Sequence, residues 1–115
     1  MTTTYRTHVL VGDLALLAGV TGRDRDGGPV SGVAAQTDAV MDRILDRIAE
    51  FGEGWVVGRI RVSVTDIGEW PTVRDVLVRR LGSTLPPATV VGVTELVEPW
   101  MRIEIEAEAV RSVTT

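Results

Sequence analysis

Apolar and polar positions along the chain fall into segments of different period. Residues 5–12 (YRTHVLVG) and 14–20 (LALLAGV) flank a Gly12-Asp13 turn and predict a hairpin, with the second arm buried because its apolar run is unbroken. TGRDRDGGPVSG, residues 21–32, gathers glycine, proline and charge without a period and predicts a surface loop. From Val33 to Phe51, the residues Val40, Met41, Ile44, Leu45, Ile48 and Phe51 recur at helical spacing, with Ser31 as N-cap and Gly52 as stop. The other helix face carries Asp38, Asp42, Asp46 and Glu50, with Arg43 and Arg47 three residues before an acid, and predicts a solvated surface.

WVVGRIRVSVT, residues 55–65, alternates as a strand does: Val56, Ile60, Val62 and Val64 point one way, Arg59, Arg61, Ser63 and Thr65 the other. A second helix is predicted over 70–81, with Pro71 in its first turn, Val73, Val76, Leu77 and Leu81 as its stripe and Gly82 as its stop. Two closing strands follow, 88–96 and 100–111. In the last, Met101, Ile103, Ile105, Ala107 and Ala109 alternate with Arg102, Glu104, Glu106 and Glu108. The element order is ββαβαββ, and if both helices cover one sheet face, the opposite face presents arginines of one strand and glutamates of another. Such a face is costly to bury unpaired, and a wet contact between subunits tolerates it.

Composition sharpens this picture. With 115 residues and 44 % apolar content the chain fits one domain, 1–115. A mean hydropathy of +0.17 in so small a body implies that apolar side chains are shared with other subunits. A net charge of −4 with the arginines scattered gives no footprint for nucleic acid. The apolar runs fall short of the roughly 20 residues that span a bilayer, and MTTTYRTH has no signal-peptide pattern, so no membrane is expected and the location expected is cytoplasmic.

Absences remove whole chemistries. There is no cysteine and no lysine, hence no thiolate, disulfide, Schiff base or pyridoxal phosphate anchor. The single histidine, His8, lies in the first strand with no evident partner and reads as structural. No metal or organic cofactor is indicated. Carboxylate, hydroxyl, arginine and backbone chemistry remain.

The segments GDLALLAGVTG, DAVMDRILDRIAEFG, RIRVSVTDIGEWPTVRDV, PPAT and RIEIEAEAV, in this order and spacing, resemble the RidA/YjgF family over nearly the whole chain. The resemblance implies a chorismate-mutase-like α+β fold, a mixed sheet packed on two helices, assembled as a homotrimer with small-molecule clefts between subunits. It also implies hydrolysis of reactive enamines or imines to ketoacids and ammonia. Carried over by position, Tyr5 matches the family's early tyrosine, Gly19 the glycine ending the second strand, and Glu104 the glutamate of the last strand. The family arginine that follows proline-alanine is absent, because Thr89 stands there. A threonine hydroxyl has neither the charge nor the fork that clamps a carboxylate. Arg74, in TVRDV, aligns with a polar pocket-edge position and is the candidate replacement.

Two function classes fit these residues. The first is a deaminase-like hydrolase acting on a substrate not held by the usual clamp, with Glu104 holding a water, Thr89 as its catalytic companion, and Tyr5, Gly19 and Arg74 binding substrate. The second is a non-catalytic small-molecule-binding or regulatory trimer. Glu104 also has a plainer role open to it, as one member of a charged strand face paired with Arg59 or Arg61.

Overall fold

The alternation of β-branched and charged residues in the two long strands builds the centre of the sheet. The computed structural model describes residues 4–111. Its elements are β1 (His8–Val11), β2 (Leu14–Leu17), β3 (Val20–Thr21), α1 (Val33–Ala49), β4 (Trp55–Val64), α2 (Trp70–Leu81), β5 (Ala88–Gly92) and β6 (Ile103–Arg111). The six-stranded sheet runs β1-β2-β6-β4-β5, with β3 also paired to β6. All pairs are antiparallel except β4 with β5, which α2 connects as a crossover.

The mixed sheet on two helices expected from the sequence is the fold observed. Val40, Met41, Ile44 and Ile48 of α1 and Val73 and Leu77 of α2 form one buried cluster with Ile60, Val62 and Val64 of β4 and Ile103, Ile105, Ala107 and Ala109 of β6. Burial of these branched side chains is the main stabilising contribution. Gln36, fully buried, ties the long loop to the start of the last strand: its Nε2 donates to the carbonyls of Val30 (2.8 Å) and Trp100 (2.9 Å), and its Oε1 accepts from Arg102 N (2.8 Å).

Several local expectations change. The unbroken run after Asp13 is two strands, β2 and β3, and β2 is half-buried: Ala15 and Leu17 face the helices while Leu16 is 43 % exposed. Its arms are covered on one side only, so an all-apolar strand here signals a second surface rather than a buried core. In β4 the register slips between Val57 and Arg59, so Gly58 is an extra residue. The slip reverses the phase: Val57 packs against the core and Val56 is exposed, not grouped with Ile60. The N-cap of α1 is Gly32, not Ser31, and no side chain caps it. The fifth strand stops at Gly92, short of Leu96, and the sixth starts at Ile103.

The acidic face of α1 is only partly a solvated surface. Arg80 of α2 donates to Asp38 Oδ1 (3.0 Å) and Asp42 Oδ1 (2.6 Å), and Arg79 reaches Asp38 Oδ2 (3.1 Å). These pairs clamp the two helices. The guanidinium of Arg80 is held above its ordinary pKa, first by its hydrogen bond to Asp42.

Candidate functional site

The sheet face turned away from the helices has two halves. Cross-strand register puts Val9 opposite Leu16, Val11 opposite Leu14, and Val110 opposite both Leu14 and Val56. Directly paired residues share a face, so these form an apolar half, and most of them are exposed. The other half is charged. Arg61 Nη1 holds Glu106 Oε1 at 2.7 Å and Glu108 Oε1 at 3.5 Å, and Arg59 Nε lies 3.8 Å from Glu108 Oε2.

Glu104 stands outside this ladder. It occupies the same face two residues before Glu106, directly opposite Ser63 of β4 and Thr21 of β3. Among the described residues its carboxylate has no ion pair and no hydrogen bond, since both arginines are taken by its neighbours. Its side chain lies over Gly19. A methyl group on Gly19 would sit 2.9 Å from Glu104 Cδ and closer still to Oε1. The glycine is therefore the space that the carboxylate fills, a steric reason for its place just before β3.

On its other side Glu104 borders a cavity of about 240 Å³ lined also by Thr89, Ser63, Val91, Arg61 and Glu106. Thr89 enters through the parallel pairing that sets it beside Arg61. This volume lies below the roughly 300–1,000 Å³ of pockets that take drug-sized ligands and suits a small metabolite. Its polar groups are the carboxylates of Glu104 and Glu106, the Arg61 guanidinium paired with Glu106, and the hydroxyls of Ser63 and Thr89, able to orient a water or a small polar group. Ser63 was grouped with the charged face of its strand by the alternation, and only the strand order places its hydroxyl across from Glu104.

The remaining sequence candidates lie apart from this cavity. Tyr5 is 68 % exposed and lines a separate depression that it shares with Gly19. Arg74 lies on α2, is half-exposed and has Asp75 Oδ1 at 3.6 Å, so a single subunit does not bring it to Glu104 or Thr89. His8 is directed to the helix side, where its ring stacks at 4.9 Å on Phe51, with Trp55 next in the row. No group of three or more His, Cys, Asp or Glu among the described residues is arranged to hold a metal ion.

Comparison with known proteins places this geometry. The family model described as Endoribonuclease L-PSP matches residues 1–111. RidA from the Antarctic bacterium Psychrobacter superposes with a TM-score of 0.86 at 25 % identity, over 96 % of this chain and 90 % of that one. A Mycobacterium tuberculosis member of the YjgF/YER057c/UK114 family gives a TM-score of 0.80 at 34 % identity, over 92 % and 86 %. Yeast Mmf1, at 18 % identity and a TM-score of 0.86 over 97 % and 90 %, shares the fold. A search of the curated proteins returned no match.

Proposed function

The chain belongs to the Endoribonuclease L-PSP family, that of the RidA and YjgF proteins, and from that premise we propose that it is a deaminase-like hydrolase of a small imine or enamine, acting in the Glu104–Thr89 cavity. The observation that carries this reading is the unpaired Glu104 carboxylate, kept free while Glu106 and Glu108 are neutralised beside it. A carboxylate so placed accepts a proton from water as the water oxygen bonds to the imine carbon. It returns that proton to the nitrogen, which takes up the C=N π pair to give a carbinolamine. It then removes the carbinolamine hydroxyl proton as C=O forms and delivers it to nitrogen as the C–N bond breaks, giving a carbonyl compound and ammonia. Thr89 and Ser63 offer hydroxyl donors to the substrate, and the backbone of Gly19 bounds the carboxylate.

The substrate differs from those held by a guanidinium, because Thr89 provides no charge for a carboxylate at that point. The working unit is a homotrimer, supported by the apolar half of the open sheet face, with Tyr5 and Arg74 reaching clefts between subunits. The location is cytoplasmic; no helix among the described residues is long and apolar enough to cross a membrane. The chain is poorly suited to ribonucleolysis, the activity in the family's name: its net charge is −4 and the single histidine packs on Phe51 rather than lining the cavity.

The test is ammonia release from imines with and without an adjacent carboxylate, wild type against Glu104→Gln. Accelerated release with the uncharged imine, lost in the variant, supports hydrolysis. A second reading, a non-catalytic binding or regulatory trimer, is favoured by the substitution of threonine for the clamp itself, and it stands if wild type accelerates neither imine while retaining a ligand in the cavity.

A further inference from the structure

A second depression lies along β3 and is lined by a different set of residues from the cavity described above. It has a volume of about 240 Å³, and Tyr5, Thr7, Gly19, Arg23, Arg43 and Arg47 are among the residues that line it. No aspartate or glutamate lines it. Arg59, Arg61, Arg74, Arg79, Arg80, Arg102 and Arg111 each hold a carboxylate within 4.0 Å. Arg23, Arg43 and Arg47 hold none among the described residues, although all three are half-buried.

Arg43 and Arg23 are partly anchored, which fixes them without neutralising them. Arg43 Nη2 donates to the Asp24 carbonyl at 2.8 Å. Arg23 Nη1 donates to the Gly27 carbonyl at 3.0 Å, with its guanidinium 5.2 Å from the Trp100 ring centroid. The Arg47 side chain makes no hydrogen bond among the described residues. A guanidinium has five donors, so most remain free here. A cation in the last turn of a helix is favourable and accounts for Arg47 alone. It does not account for Arg43, one turn earlier on the same face, where like charges four residues apart repel. The charge of Arg43 is indeed disfavoured, first by burial and then by Arg23 and Arg47, with Asp24 opposing.

We propose that this depression binds an oxyanion, the carboxylate or phosphate group of a small metabolite, on the free donors of Arg43 and Arg47, with Arg23 adjoining. Bidentate donors suit planar or tetrahedral oxyanions. An anion there relieves the mutual repulsion of three cations that hold no carboxylate within 4.0 Å among the described residues. The inference is independent of catalysis by Glu104, which lines the other cavity.

Calorimetry of the full chain with inorganic phosphate, and separately with 2-ketobutyrate, tests it and distinguishes the two sources. Saturable binding of at least one anion at millimolar concentration or tighter is expected, weakened at least tenfold by Arg47→Gln. Arg25→Gln, which removes a charge outside the depression, leaves binding unchanged. Thermal melting checks that Arg47→Gln is folded, and Arg43→Gln gives a second variant with the same expected loss. Binding of neither anion to wild type, or an equal loss in Arg25→Gln, overturns the proposal.

Discussion

The carboxylate of Glu104 occupies the space where any residue but glycine at position 19 would carry its Cβ. The backbone of Gly19 is not in a left-handed conformation, so alanine is tolerated there by the chain but not by the glutamate. Gly19→Ala is expected to push the Glu104 side chain toward the cavity at a stability cost within about 1 kcal/mol, because the displaced group is the flexible end of a side chain. Ammonia release, or ligand affinity if the protein only binds, falls sharply while the melting temperature barely moves. A large loss of melting temperature would mean that Gly19 serves the fold instead.

The fold was legible because its long elements repeat their period many times. β6 alternates from Ile103 to Ala109 and α1 keeps its stripe from Val40 to Ile48, and both are where the pattern put them. What the pattern missed depends on single residues. Gly58 reverses the phase of β4 at one bulge, and a two-residue β3 is too short to have a period. The site was half legible: position relative to the family motifs led to Glu104, Gly19 and Thr89, which the fold gathers. The arginine depression was not legible, since Arg23 comes from a loop without a period and meets Arg43 and Arg47 only through the packing of that loop on α1.

The apolar half of the open sheet face predicts assembly. Leu16 and Val56 are 43 % and 51 % exposed in one subunit, on the same face as Val9, Val11 and Val110. Solvent exposure of such a contiguous patch is unfavourable. Light scattering at micromolar concentration should give three times the chain mass of 12.4 kDa. Leu16→Glu, which places a second carboxylate opposite Glu108 within the exposed patch, should shift the mass toward that of one chain. A wild-type protein at 12.4 kDa would defeat the homotrimer.

The helix clamp predicts a modest stabilisation. Arg80→Met breaks its pairs with Asp38 and Asp42, and because solvent reaches both aspartates the loss is about 0.5–1 kcal/mol. A raised guanidinium pKa contributes stability that is fully present below the unfolded value and lost only as pH rises through the folded one. The difference in unfolding free energy between wild type and variant is therefore flat from about pH 7 to 10, while added salt shrinks it. Denaturant titration at several pH values measures this, and a difference that collapses within that window would assign the stabilisation to another group.

Thr89 is the residue at which the chain departs from its family pattern, and its surroundings say what a reversal would do. It lies beside Arg61 in the parallel pairing and lines the cavity with Glu104 and Glu106. Thr89→Arg brings a guanidinium into a space that already holds two carboxylates and one cation. If the cavity retains the family geometry, the new group clamps a substrate carboxylate and raises affinity for 2-ketoacids by on the order of 1–3 kcal/mol, the scale of a charge-assisted hydrogen bond. Calorimetry with 2-ketobutyrate, wild type against variant, reads the gain directly. Because the anion depression beside Tyr5 is a second place for such an acid, the measurement is repeated in the Arg47→Gln background, where only the engineered clamp remains. A gain there supports the carry-over of Glu104 and Gly19 to this chain. No gain in a variant that stays folded and assembled would mean that the new guanidinium pairs with Glu104 and Glu106 instead, and that the cavity has been reshaped around Thr89 for an uncharged ligand.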